Sequence, residues 1–492
     1  MFIRNLALFS GVEIAGLAIG LLTSPITTRL LSIQQYGSLP LLAAVWSIAS
    51  IFQFAGMDSA FVIYQAKGIY ARKTVTVTTT VCATVAAGTI WVLFASAGLC
   101  APWLAQYASV SRLELFAFMV GLLPTALVAW HLQLLRFTHE ALRFARVTLL
   151  GRIASALVAI PVMYVLPQED RLAGALFASA ALNWLSLGLA IYEVRSASGS
   201  PFAAGHFERE LVRPMLAMGA ALIPGAMVYA LCAVMDRLLL GWYSDNAQVA
   251  VFGLAGAVAS GALILKAAFA RTWDPHMIEW IATRDERVYL PRLQAAADLI
   301  APAVLIVTFL ALVWGDTVFR LLFPSAYAGC GRVMPVLVLG GTLATLALVA
   351  IGTETISGRT RYRLAIYLAG LAVNIGVCVN FIPTLGALGA AYGALAGEVT
   401  VVCLWVVVGK WLIGNLQLNW TNAGAAIALA TVLVAEYRPG RLLSSSVAEQ
   451  LAASVVCAGT TWLLIRRTRK LFSELPAIPS SSTTVSGNGA GR

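Results

Sequence analysis

Apolar runs of about 20 residues recur from one end of this chain to the other, separated by short polar or charged stretches. Wound as an α-helix, a run of that length crosses the hydrocarbon core of a bilayer. Lipid offers the backbone no hydrogen-bond partner, so such runs leave only a bundle of spanning helices. A membrane β-barrel would alternate apolar and polar residues and is excluded. The chain is 60% hydrophobic and 11% charged over 492 residues, against about 45–50% and about 25% in soluble domains. The expected fold is an all-α polytopic membrane protein with about fourteen transmembrane helices.

The first six spans are expected at about 5–30, 38–63, 74–100, 112–135, 146–166 and 172–194, followed by a polar loop from Arg195 to Arg213. Six more follow at about 214–241, 247–270, 296–323, 333–354, 363–384 and 386–410, and two at about 419–436 and 447–465. Arg4 before the first run gives a signal-like start. That run is too long for a cleaved signal and is read as an uncleaved span. The end from Leu471 is rich in Ser, Thr and Gly and reads as a disordered tail.

Placing the N-terminus inside puts about 24 of the 33 basic residues in inner segments, eight in outer segments and one, Arg152, within a span. That bias predicts both termini in the cytoplasm. The same bias accounts for the net charge of +11, with no nucleic-acid partner implied. The inner segment Arg271–Ala295, with Trp273, Met277, Ile278, Trp280 and Ile281 among charges, reads as an amphipathic surface segment.

The chain also repeats itself. Thr27-Thr28-Arg29-Leu30-Leu31 closes the first run, and Tyr36-Gly37 opens the second. Asp236-Arg237-Leu238-Leu239-Leu240 closes the seventh, and Phe252-Gly253 lies near the start of the eighth, with the two arginines about 208 residues apart. Arg143-Phe144-Ala145-Arg146 and Arg361-Tyr362-Arg363 precede the fifth and eleventh spans at a similar offset. Six is an even number of crossings, so the repeats are parallel, related by an axis along the membrane normal. The expected domains are a six-helix lobe over 1–204, a second over 205–411, two additional helices over 412–470 and the tail over 471–492.

No catalytic, cofactor or metal motif is present: the four histidines are scattered, and the seven cysteines show no CxxC spacing. Polar chemistry must come from charges within spans. Arg29, Arg237, Asp236 and Arg152 are candidate cavity residues, and Glu13, Asp58 and Glu398 candidate coupling-ion residues. Each carries a plainer reading. Arg29 and Arg237 can snorkel to phosphates at a span end. Glu13, in a run with Gly11, Gly16, Gly20 and Pro25, fits either a moving gate or a packing kink. Asp236 and Arg237, about 100° apart on a helix, are expected to diverge, one toward a cavity and one elsewhere. Glu398 is the deepest, with no snorkelling route from mid-span. Trp46, Trp130, Trp184 and Tyr229 would stack on sugar rings if they faced inward, and otherwise pack against lipid or helices.

These residues resemble a known family. Arg29-Leu30-Leu31-Ser32 with Tyr36-Gly37, Gly56-Met57-Asp58 closing the second span, and Asp236-Arg237-Leu238-Leu239-Leu240-Gly241 are similar to motifs of Wzx-type polysaccharide (O-antigen) flippases of the MOP exporter superfamily. At Asp58 the acid follows the glycine, a departure from the family pattern. The resemblance implies a MATE-like, V-shaped pair of lobes moving undecaprenyl-pyrophosphate-linked oligosaccharide between leaflets. Its implied partners are that lipid-linked substrate, membrane lipids, and a polysaccharide polymerase with chain-length machinery. Arg29 and Arg237 would then line the cavity or its portals and meet the pyrophosphate through charge-assisted bonds.

Three other classes of membrane protein share this hydropathy. A cation-coupled drug or metabolite exporter of the same superfamily would not need the last two spans. A major-facilitator transporter would carry a G-x-x-x-D-R-x-G-R-R loop that Tyr64–Lys73 does not match. A membrane-embedded polymerase or ligase would need a long outer loop, and every outer loop here is short.

Overall fold

The computed structural model describes residues 2–67, 70–100, 103–138, 140–198, 206–262, 308–311, 313–346 and 361–413. Among them the chain is helical throughout and carries no strand. The first lobe holds α1 (Phe2–Leu30), α2 (Ile33–Ala49), α3 (Met57–Lys67), α4 (Arg72–Cys100), α5 (Trp103–Ala108), α6 (Arg112–Phe137), α7 (Ala141–Val165) and α8 (Arg171–Ser198). The second holds α9 (Arg209–Tyr243), α10 (Asn246–Ala262), a helical stretch over 313–322, α11 (Cys330–Leu346), α12 (Arg361–Leu385) and α13 (Ala387–Ile413). Seven of the described helices are long and apolar enough to cross a membrane, and three shorter apolar helices accompany them. The expected additional helices over 412–470, the tail and the amphipathic segment lie outside the described residues, apart from the last residues of α13.

Capping chemistry sets several helix starts. Ser32 accepts from the Gln35 amide at 3.2 Å, and the Gln35 side chain accepts from the Ser32 amide at 3.1 Å. Ser111 and Glu114 make the same reciprocal pair at the start of α6. Each box satisfies amide donors that a helix N-terminus otherwise leaves bare. In the last turns of α1, the Ser24, Thr27 and Thr28 hydroxyls donate back to carbonyls one turn earlier. Those polar groups are thereby satisfied within the helix, and α1 runs unbroken past Pro25.

The second expected span, 38–63, is the main departure. It begins earlier, at Ile33, and breaks over residues 50–56 into α2 and α3. Ala55 and Gly56 take left-handed backbone angles at the break, φ 49° and 73°. The cause is tertiary: a Cβ on Gly56 would collide with the backbone of Gly219 in α9, and one on Gly219 would stand 2.9 Å from Gly56 Cα. Two glycine backbones touch here, and α2 must turn aside for α9 to pass.

Among the described residues two large cores hold the bundle, and a smaller cluster of Ile366, Val401 and Trp405 joins α12 to α13. One large core, toward the end that the charge count makes outer, runs through both lobes and includes Leu41, Leu104, Leu240, Phe252, Phe319 and Ala390. The other lies toward the opposite end and joins Val12, Phe61, Trp130 and Phe144 of the first lobe to Leu211 and Met215 at the start of α9. Thus α9 begins in the first lobe's core and finishes in the one that crosses the seam. Beside the first lobe's own core, Glu193, buried in α8, takes Arg143 and Arg146 of α7, each at 3.6 Å. The first Arg-aromatic repeat is therefore an ion cluster tying α7 to α8.

The lobes meet along α2 and α10. The Asn246 amide donates to Ser38 Oγ at 3.0 Å and to the Ala108 carbonyl at 2.8 Å, both buried. A Cβ on Gly37 would strike the Asn246 carbonyl, and one on Gly253 would stand 2.6 Å from Pro40 Cγ. Both repeated aromatic-glycine pairs thus serve the same close crossing. Tyr107 closes the seam with a 2.6 Å bond from its hydroxyl to the Leu238 carbonyl. Burial pushes its phenol up to about 12, so it stays a neutral donor at physiological pH.

Candidate functional site

A cavity of about 320 Å³ opens inside the second lobe, between α9, α10, α11, α12 and α13. Small residues make the room: Gly256, Gly340, Gly341, Gly370 and Gly397 all line it. On one wall α12 and α13 cross closely enough that a Cβ on Gly397 would stand 3.0 Å from the Gly370 carbonyl.

Charge gathers in this space. Asp236 and Arg237 enter from α9 and Glu398 from α13, with Asn374, Tyr367 and Tyr229 beside them. Asp236 is 7% exposed, and its Oδ1 accepts from the Arg237 amide at 2.8 Å. The two side chains form no ion pair; the carboxylate turns back on the helix backbone. The Arg237 Nε is buried with no hydrogen-bond partner among the described residues. A Cβ on Gly256 would lie 3.7 Å from its Nη2, so the guanidinium reaches the face of α10. A buried donor left bare costs about 1–3 kcal/mol, and more when it is charged. Such a cost is tolerated where an anion or a polar ligand arrives to meet it. Tyr229 is exposed and stands edge-on to Tyr367 at 5.7 Å, giving the cavity an aromatic lip.

The structure brings together three of the expected residues and separates the rest. Asp236 and Arg237 were expected to diverge; both line the cavity. One accepts through the backbone while the other extends, so the 100° offset does not part them. Glu398 joins them from the other half of the lobe. Arg29 does not face Arg237. It is exposed at the end of α1, donates to the Leu322 carbonyl at 3.2 Å, and lines a different groove beside α7. Arg152 is exposed on α7, and its guanidinium lies where a Cβ on Gly16 of α1 would fall. Asp58 sits in the first turn of α3, where the helix N-terminus favours a carboxylate. Glu13 belongs to α1, and its side chain lies outside the described atoms.

The aromatic candidates separate likewise. Trp130 is fully buried, donates to Thr80 Oγ1 at 3.1 Å and packs on Phe54 and Phe61. Trp46 packs on Phe94, and Trp184 is exposed on α8. Only Tyr229 lines the cavity. Asn374, Tyr367 and Ser260 are lining residues that the sequence reading missed, and their polarity inside apolar runs was the available signal. Cys100 and Cys330 are both free thiols, one exposed and one buried. Among the described residues no cluster of His, Cys, Asp and Glu could hold a metal ion.

The fold is shared with solved transporters. The lipid II flippase MurJ in an inward closed conformation superposes with a TM-score of 0.71 at 12% identity, covering 94% of this chain and 98% of that one. An inward-facing multidrug resistance MATE transporter of the MOP superfamily gives 0.64 at 14% identity, covering 84% and 96%. A MOP superfamily transporter from Pyrococcus furiosus gives 0.62 at 15%, covering 84% and 96%. No curated protein matches the chain. The profile described as "Polysaccharide biosynthesis protein" matches residues 2–279, more than half of the sequence, and the chain belongs to that family.

Proposed function

We propose that this protein flips undecaprenyl-pyrophosphate-linked oligosaccharide across the bacterial inner membrane for polysaccharide biosynthesis, by alternating access of its two lobes. Family and fold together make it a transporter of the MOP superfamily. The observation that carries the finer reading is Arg237, a cation with a bare, buried Nε inside a membrane cavity. A guanidinium binds a phosphate through paired, charge-assisted hydrogen bonds. Asn374, Tyr367 and Tyr229 around it suit hydroxyl-rich sugars, through hydrogen bonding and ring stacking. Glu398, in the same cavity, is positioned to couple a proton or cation to the lobe movement. On this reading both termini are cytoplasmic, and a polymerase with its chain-length machinery consumes the product outside.

A second reading, a cation-coupled drug or metabolite exporter, is favoured by the two carboxylates, Asp236 and Glu398, that share the cavity with one arginine. Reconstituted vesicles separate the two. Flipping of a fluorescent polyprenyl-pyrophosphate oligosaccharide, lost in Arg237→Met and partly kept in Arg237→Lys, supports the flippase. Gradient-driven efflux of organic cations with no glycolipid movement supports the exporter.

A further inference from the structure

We infer that the buried hydroxyl of Tyr327 is a release built into the seam between the lobes: it destabilises the shut state, loses that effect once the lobes part, and so keeps the crossing of α2 and α10 reversible. This rests on the lobe movement in the reading above and names a residue that sets its balance.

Tyr327 ends a 3-10 turn, Ser325–Tyr327, that follows Pro324. The turn belongs to the second lobe. The Tyr327 amide donates to the Pro324 carbonyl at 2.9 Å, and a Cβ on Gly329 would stand 3.3 Å from Val251 Cγ1 of α10. From that fixed base the ring reaches the first lobe and meets the ring of Tyr36 on α2 edge to face, with centroids 5.8 Å apart. The side chain is a peg, 1% exposed, in the core that crosses the seam.

The ring suits that core and the hydroxyl does not. Its oxygen is buried with no hydrogen-bond partner among the described residues. Cys330, three residues on, gives its thiol to the Val251 carbonyl at 3.3 Å. A phenol stripped of water and given no acceptor is destabilising, and phenylalanine would fill the same space without that cost. The cost lasts only while the seam is shut. Parting α2 from the second lobe uncovers the peg, and water then meets the hydroxyl.

Other polar side chains of the crossing pull the opposite way. Asn246, Tyr107 and Arg29 each bond across the seam and hold it shut. Rocking needs both states populated, and closing bonds with no counterweight would trap one of them. Tyr327 supplies that counterweight in the same core.

Two hydroxyl deletions at this seam should therefore act in opposite directions. Full-length protein in nanodiscs would carry donor and acceptor fluorophores on unnatural amino acids at Glu169 and Thr384, both exposed. Glu169 follows Gln168, whose carbonyl is bonded by Gln35 of α2, and Thr384 lies just before Ala387, whose amide is bonded by Gln248 of α10. Single-molecule energy transfer counts the near and far populations. Tyr327→Phe should lower the far-to-near ratio about tenfold and leave the thermal midpoint unchanged or higher. Tyr107→Phe, which loses a bond across the seam, should raise the ratio about fivefold. An unchanged ratio in Tyr327→Phe beside a raised one in Tyr107→Phe overturns the inference and leaves the lobe movement standing. A raised ratio in Tyr327→Phe overturns it too, because the hydroxyl would then be holding the seam shut. A single distance in all three proteins defeats the lobe movement itself, and the inference with it.

Discussion

Arg237 pits stability against function within one side chain. Its Nε is buried without an acceptor among the described residues, at a cost of about 1–3 kcal/mol or more for a charged group. Methionine has similar length and no donor to strand. Arg237→Met should therefore leave the thermal midpoint of the purified protein unchanged or raise it, while glycan export falls by at least about tenfold. A variant that melts much earlier would show that Arg237 holds the lobe together instead of serving a ligand. Gly256→Ala tests the same cavity from the opposite wall. Its Cβ would make ordinary contacts, 3.7 Å from Arg237 Nη2 and 3.8 Å from Leu337 Cδ1, so folding should be unharmed. The larger Gly256→Leu side chain would occupy the space in front of the guanidinium. It should block export of large glycans in a complementation assay while the protein still reaches the membrane.

Elements show where reading the sequence succeeds and where it stops. Hydrocarbon thickness and backbone satisfaction force long apolar runs, so α1, α4, α6, α8, α9, α12 and α13 lie within a few residues of expectation. The break between α2 and α3 was not visible. Residues 51–60 contain no proline, and the partner that imposes the turn, Gly219, lies far along the chain on α9. Local pattern carries no record of a contact at that separation. The site divides similarly. Arg237 and Glu398 stand out as charges within spans, but their meeting depends on how two helices rotate about their axes, which hydropathy does not encode. Arg29 and Arg237 match as a repeat, yet Arg237 lines the second lobe's cavity and Arg29 a groove between α1 and α7. The break itself can be probed. Gly56→Ala adds a left-handed penalty and a collision with Gly219, together about 2–4 kcal/mol. Gly88→Ala on α4 meets nothing within 4 Å and should be neutral or stabilising by about 1 kcal/mol. Comparing the thermal midpoints of the two variants separates a tertiary pivot from generic helix propensity.

At the scale of the molecule, the described core crosses the seam toward one end and stays with the first lobe and α9 toward the other. Polar contacts reinforce the crossing: Asn246 to Ser38 and Ala108, Tyr107 to Leu238, and Arg29 to Leu322. On the alternating access proposed above, these contacts break in every cycle, because exposing a cavity at this end means parting α2 from α10. Contacts that must part should be few and reversible, and several of these are single hydrogen bonds of modest net worth, about 0.5–1.5 kcal/mol each. A covalent tie across the seam should therefore stop transport without unfolding the protein. In a variant freed of its seven cysteines, Ser38→Cys and Asn246→Cys, joined by a short reducible bifunctional thiol reagent, should arrest export, and reductant should restore it. The same reagent bridging Thr125→Cys and Asn183→Cys provides the control. Asn183 donates to Thr125 at 2.9 Å between α8 and α6, inside a single lobe. That tie should leave export intact, since rigid-body rocking does not ask the first lobe to change shape. Arrest by both ties would point to internal deformation of the lobe, and arrest by neither would dismiss relative movement of the lobes as the transport step.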